Sequence, residues 1–217
     1  MQRESKLINM RQIVQGTNAI VLVGSWNIAI FTQEWVKENL LPDEDFKVFF
    51  PSMVGCSLKF QTELFAFCIE GNRLQFEVVN FDHMQDAYVE IIKLLRIILR
   101  KLAHTPINAM GTNYVYDFDL PFEVLNTLHD NEPLQNIISL TGGVKSQALV
   151  RNFDMGEDKE LNLQLKSVQN GVNRIDFNFN YNVKNARDVM NILGDEDQLL
   201  IQNQDLARKI VDEVYGK

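Results

Sequence analysis

The sequence predicts an α+β fold: two pseudo-repeated halves, each ordered strand, helix, antiparallel strands, helix, forming one curved antiparallel sheet with helices packed on one face. Three observations carry this. Asp82 to Ala103 holds the longest clean helical period, with Tyr88, Ile91, Ile92, Leu95, Ile98, Leu99 and Leu102 on one face and Asp86, Glu90, Lys93, Arg100 and Lys101 opposite. Ile175, Phe177, Phe179, Tyr181 and Val183 alternate with polar residues, the period of a half-buried strand. The order of elements after Ile107 then repeats the order before it.

In chain order, a polar start leads to a strand over Ala19 to Trp26 and a short helix over Thr32 to Leu41, closed by Pro42. Phe46 to Phe60 reads as extended and broken near Pro51 and Gly55. Thr62 to Ile69 and Arg73 to Phe81 form a hairpin about Glu70, Gly71 and Asn72. Asp82 and Gln85 supply the cap and its reciprocal partner for the long helix, which His104, Thr105 and Pro106 stop. In the second half a strand runs from Ile107 through Asn113 to Phe118. A helix follows from Leu120 to His129, capped by Asp119 with Pro121 in its first turn and ended by Pro133. Strands over Ile137 to Leu140, Val144 to Phe153, Leu161 to Val168 and Arg174 to Val183 precede helical segments over Asn185 to Leu193 and Gln198 to Tyr215, separated by Gly194. The Thr141-Gly142-Gly143 turn reads as a hairpin or bulge, since no helix follows it.

Two local matches favour duplication within a single domain, with halves at about 12–106 and 107–215. Gly16-Thr17-Asn18 returns as Gly111-Thr112-Asn113, 95 positions on. Asn72-Arg73-Leu74-Gln75-Phe76-Glu77-Val78 returns as Asn173-Arg174-Ile175-Asp176-Phe177-Asn178-Phe179, 101 positions on. A longer loop at Asp154 to Glu160 absorbs the difference.

These landmarks, namely the early strand with its Trp35-containing helix, the hairpin ending RLQFEV, the amphipathic helix, the midpoint strand INAMGTNYVYDF and the closing RIDFNFNY, resemble a sporadically distributed family of uncharacterised prokaryotic proteins. The architecture also resembles the saddle of TATA-binding proteins, and a hotdog fold shares part of the order. The resemblance implies a duplicated fold and no particular chemistry, because function resides in sites rather than in folds.

With 46% hydrophobic content, the chain can bury a substantial core as an ordinary soluble globular protein. A net charge of -8 argues against a generic hold on nucleic acid or anionic lipid. Cys56 and Cys68 lack metal-ligand spacing and read as reduced core thiols of a cytoplasmic protein. No apolar run is of membrane-spanning length, and the N-terminal residues lack the apolar segment of a secretion signal.

The most informative candidate site is the polar row of the closing hairpin. Asp176, Asn178, Asn180 and Asn182 lie beside Asn162, Gln164 and Lys166 of the preceding strand, a face whose amides can donate and accept hydrogen bonds to a peptide, sugar or base. A solvated antiparallel sheet face gives the same pattern. In the first half the strand from Leu64 to Ile69 is apolar on both faces, and the face of Phe65, Phe67 and Ile69 fits a homodimer interface or an apolar ligand groove, or else burial under a helix of the same chain. Asp117 and Asp119 point to one side and could share a divalent metal, though Asp119 also suits a helix cap. His83, His104 and His129 stand at helix ends, and Trp26 and Trp35 read as core or interface anchors. No catalytic signature is present: there is no HExxH, no Gly-x-Ser-x-Gly and no phosphate loop.

The expected function is therefore a binding or assembly module without catalytic machinery or cofactor, using the sheet face or the cleft between halves, with a protein partner or a second copy of the chain. The alternative is an enzyme of hotdog-like or unknown type with Asp117, Asp119 or Asp176 as acid or base. Nucleic-acid binding through a saddle rests on fold analogy alone.

Overall fold

The computed structural model describes residues 10–13, 17–50, 58–118, 148–156, 158–167 and 173–215. The described residues include the strands β1 (Met10–Ile13), β2 (Asn18–Gly24), β3 (Lys47–Phe49), β4 (Leu58–Gln61), β5 (Phe65–Glu70) and β6 (Arg73–Val78), followed by β7 (Ile107–Phe118), β8 (Ala148–Asp154), β9 (Lys159–Ser167) and β10 (Asn173–Tyr181). Their helices are α1 (Gln33–Asn39), α2 (Met84–Lys101), α3 (Ala186–Leu193) and α4 (Leu199–Tyr215). The fold is α+β, and the ten strands form one antiparallel sheet in the order β3-β4-β5-β6-β2-β7-β10-β9-β8. β1 lies off this path. It pairs with the last residues of β7, on the edge that β2 occupies further along, while β10 pairs with the other edge of β7.

Alternation separates two sheet faces. On one stand Ile20 and Leu22 of β2, Phe65, Phe67 and Ile69 of β5, Leu74, Phe76 and Val78 of β6, Tyr114, Tyr116 and Phe118 of β7, and Ile175, Phe177 and Phe179 of β10, all buried. The apolar stripe of α2, from Ala87 to Leu99, completes this core, and the helix touches β6, α3 and α4, while α4 lies against β7. Burial of one helix stripe is what the three-and-four spacing demands. Aromatic rings fill the space between strands: Phe60 stacks on Phe67 at 5.0 Å, and Tyr114 meets Phe179 edge-on at 5.9 Å.

Local chemistry sets the boundaries. Thr32 caps α1 by accepting the Trp35 N–H, and Asn185 caps α3 by accepting those of Arg187 and Asp188. Gly71 and Asn72 make the two-residue turn between β5 and β6. Gly24 sits where β2 squeezes between that turn and the start of β7: its own N–H donates to the Asn72 carbonyl, and the next N–H donates to the Pro106 carbonyl. A Cβ at Gly24 would fall on that Pro106 oxygen. Arg96 of α2 reaches the carbonyls of Leu193, Gly194 and Asp195 at the end of α3 and pairs with Asp197. One guanidinium thus satisfies the orphan carbonyls of a helix terminus and joins three helices.

Several expectations need correction. The polar start contains β1, whose partner lies more than a hundred residues away. Asp82 does not cap α2. It belongs to a 3-10 turn over Phe81–His83, and the residue at the cap position, His83, makes no side-chain capping bond. Phe65, Phe67 and Ile69 are 1%, 0% and 0% exposed within the single chain, so that face of β5 is covered by the chain itself and presents no interface surface. The helix expected over 120–129, the strand over 137–140, the 141–143 turn, the break over 51–55, Cys56, Asp119 and His129 lie outside the described residues. No helix among the described residues is long and apolar enough to cross a membrane.

Candidate functional site

The residues singled out in the closing hairpin lie on the sheet face opposite Phe177 and Phe179, as alternation requires. Strand register arranges them in rows. The central row crosses four strands, because Asn113 of β7 stands directly opposite Asn178 of β10, Asn178 opposite Asn162 of β9, and Asn162 opposite Asn152 of β8. The amides are joined in one direction: Asn162 donates Nδ2–H to Asn178 Oδ1 at 3.3 Å, and Asn178 donates to Asn113 Oδ1 at 2.6 Å. Asn113, Asn162 and Asn178 are half-buried and Asn152 is exposed. Gly111 makes room for this row. A Cβ there would lie 3.1 Å from Asn178 Nδ2 and 3.3 Å from Asn180 Oδ1, inside normal contact distance.

On one side of the amides lies a charged band. Arg174 forks onto Asp117, with Nε to Oδ1 at 2.6 Å and Nη2 to Oδ2 at 3.0 Å, and Lys166 pairs with Asp176. Hydrogen bonding to Asp117 pushes the Arg174 pKa up from its already high value. Gln164 stands opposite Asp176, and Asn180 lies opposite Gly111 and Glu160. Asn182 is exposed beyond the end of β10, its backbone N–H given to the Asp158 carbonyl. The register therefore brings together Asn162, Gln164, Lys166, Asp176, Asn178 and Asn180, and leaves Asn182 at the margin. It adds Asn113 and Asn152, which strand alternation alone could not place beside the others. Asp117 is committed to Arg174 rather than open to a metal, and among the described residues no group of three or more His, Cys, Asp or Glu could hold one.

The same face of the first half is closed. Lys59 of β4 and Glu77 of β6 pair diagonally across β5, and beneath them lie the small Ala66 and Cys68, both buried. Burial pushes the Cys68 thiol pKa up, so it is a poor nucleophile.

No protein-family model matches the chain, and no curated protein matches it.

A second polar cluster, not anticipated from sequence, lies in the core beneath α4. Asn203 donates to Thr112 Oγ1 at 2.9 Å and to Tyr181 Oη at 2.7 Å, and accepts from Lys159 Nζ at 3.1 Å. The ammonium also sits 5.1 Å from the Phe179 ring centre and 5.2 Å from that of Tyr181. Desolvation lowers the Lys159 pKa and raises that of Tyr181. Tyr114 donates its hydroxyl to the Leu200 carbonyl at 2.6 Å, and Gln204 donates to Gln12 at 2.7 Å. These bonds fasten α4 and β1 to the sheet, with every member of the Asn203 group satisfied.

Proposed function

We propose that the protein is a non-catalytic binding module whose contact surface is the amide-lined face of β7, β10 and β9, and that its partner is a polypeptide. The directed Asn162, Asn178, Asn113 chain carries this reading. Three neutral amides held in register and half-exposed offer donors and acceptors already fixed in place, so little side-chain entropy is lost when a backbone amide binds. The face bears Val21, Val115 and Gly111 beside the amides, and no aromatic residue of β2, β7, β9 or β10 is on it, which disfavours a base or a ring that needs stacking. Lys59, Lys166 and Arg174 each already hold a carboxylate, so a phosphate backbone would have to displace it.

The reading extends to the architecture: the two halves are repeats, related by a pseudo-two-fold axis between β2 and β7, with the helices on one face as in a TATA-binding-protein-like saddle. Sheet order supports this, since β2-β6-β5-β4 runs outward one way and β7-β10-β9-β8 the other. Register supports it independently. Adding the offsets of 95 and 101 to the β2–β6 pair Asn18 and Glu77 gives Asn113 and Asn178, themselves a β7–β10 pair. In this alignment Asn178 replaces a glutamate that Lys59 closes off, and Asn162 replaces Ala66. The binding surface thus belongs to one repeat only.

The enzyme alternative, with Asp117 or Asp176 as acid or base, must first break an ion pair, and no observation favours it. The test is to select peptides from a display library on the intact protein and compare their affinity for the wild type and an Asn162→Ala/Asn178→Ala variant. Each lost hydrogen bond is worth about 1 kcal/mol, so the double variant is expected to bind roughly tenfold more weakly or worse. Equal affinity, or no selection above that on an unrelated acidic protein, would refute the reading.

A further inference from the structure

Strand alternation places Lys159 on the core face of β9, in line with the buried Leu161 and Leu165. A lysine at such a position ordinarily carries its ammonium out to water or onto a carboxylate. Lys159 instead gives its Nζ to Oδ1 of Asn203 on α4, a residue only 3% exposed, and holds it 5.1 Å and 5.2 Å from the ring centres of Phe179 and Tyr181. Among the described residues no carboxylate pairs with it, whereas Lys59, Lys93 and Lys166 each hold one. An amide oxygen and two ring faces therefore stand where water would be, and they offer partial charges only. Loss of that water decides the balance, and the uncharged amine is favoured relative to a solvated lysine. The residue is half-exposed, which leaves an approach for a small electrophile.

We propose that Lys159 is a site of covalent acylation by a small activated acyl donor of the acyl phosphate class. The uncharged amine attacks the acyl carbon, and the carbon–oxygen bond to phosphate breaks. Phosphate leaves with the electron pair, the nitrogen gives up a proton to water, and nothing is oxidised or reduced. This step needs only the free amine. Capture of an aldehyde as an imine would need an acid to expel water, and the neighbours offer none: Asn203 is an amide, and burial pushes the Tyr181 hydroxyl pKa up. The amide formed keeps an N–H for Asn203 Oδ1, so the modified side chain retains its anchor. What it loses is the charge over the rings of Phe179 and Tyr181. Acylation thus neutralises the contact between β9 and α4 without cutting it. The inference does not depend on what the amide face binds.

Incubating the full chain with acetyl phosphate and following each lysine by mass spectrometry tests it. In the folded protein Lys159 is expected to acetylate several-fold faster than the exposed Lys47, Lys184 and Lys209. In the urea-unfolded chain that lead should vanish, because the folded surroundings rather than the local sequence create it. Asn203→Asp places a carboxylate where the amide oxygen now stands 3.1 Å from the ammonium, and the Tyr181 hydroxyl can turn to donate to it. An opposite charge so close favours the ammonium, so Lys159 should acetylate roughly tenfold more slowly in this variant. Circular dichroism should show the variant folded. Lys159 reacting no faster than the exposed lysines, a lead that persists in urea, or an unchanged rate in the folded Asn203→Asp protein would overturn the proposal.

Discussion

At the scale of single residues, backbone proximity decides more than side-chain size. Gly24 has no room for a methyl group because the obstacle is the Pro106 carbonyl, which itself accepts the Ser25 N–H and cannot withdraw without losing that bond. Gly24→Ala should therefore cost about 2–3 kcal/mol, seen as a lower denaturant midpoint at unchanged slope. A Cβ at Gly71, in the turn beside it, would meet nothing within 4 Å, so Gly71→Ala makes the matched control. Neither role is visible in sequence. A glycine at a strand end announces a turn or a close approach, but which of the two depends on a carbonyl some eighty residues away.

At the scale of elements, Arg96 is the point where α2 holds the α3–α4 junction. It is largely buried and serves the last carbonyls of α3 together with Asp197. Arg96→Ala leaves those groups without a partner and should cost about 2–3 kcal/mol. Amide exchange in α3 should accelerate while exchange in β5 and β6 stays slow; uniform acceleration would mean that the latch is not local. The elements easiest to read from sequence are those whose burial is decided within a few residues. The α2 stripe, the β5–β6 hairpin and the alternation of β9 and β10 all advertise themselves at short range. β1 does not, since four residues with no local partner carry no periodic signal. The start of α2 escapes a capping pattern because Phe81–His83 adopts a tighter turn ahead of the helix, which moves the boundary past Asp82. Most of the candidate site is legible for the same reason. Asn162, Asp176 and Asn178 alternate visibly, but only register shows that Asn113 and Asn152 complete their row.

At the scale of the whole molecule, buried phenols set the alkaline limit. Desolvation raises the pKa of Tyr88 and Tyr114 far above the usual 10.0 and that of Tyr116 to about 12, and Tyr181 rises as well. In the unfolded chain these groups ionise near pH 10. Between that pH and their folded pKa values the native state holds more protons than the unfolded state, so stability is full below about pH 10 and falls as pH rises through the window. Denaturation midpoints should be flat from neutrality to about pH 9 and then drop, with phenolate absorbance appearing together with unfolding. Phenolate absorbance that grows while the protein stays folded would show these hydroxyls to be accessible.

The meeting of three strands on β7 also sets an order in time. During synthesis β4, β5 and β6 leave the ribosome next to a strand partner in sequence, whereas β1 has only the far end of β7, whose Phe118 is made 105 residues after Ile13. At ordinary elongation rates that wait lasts on the order of ten seconds. Once β6 has paired, the nascent chain still carries β2 with one edge open, the very edge that β7 will fill. A holdase acting on this protein therefore has its shortest useful contact time written into the distance between β2 and β7.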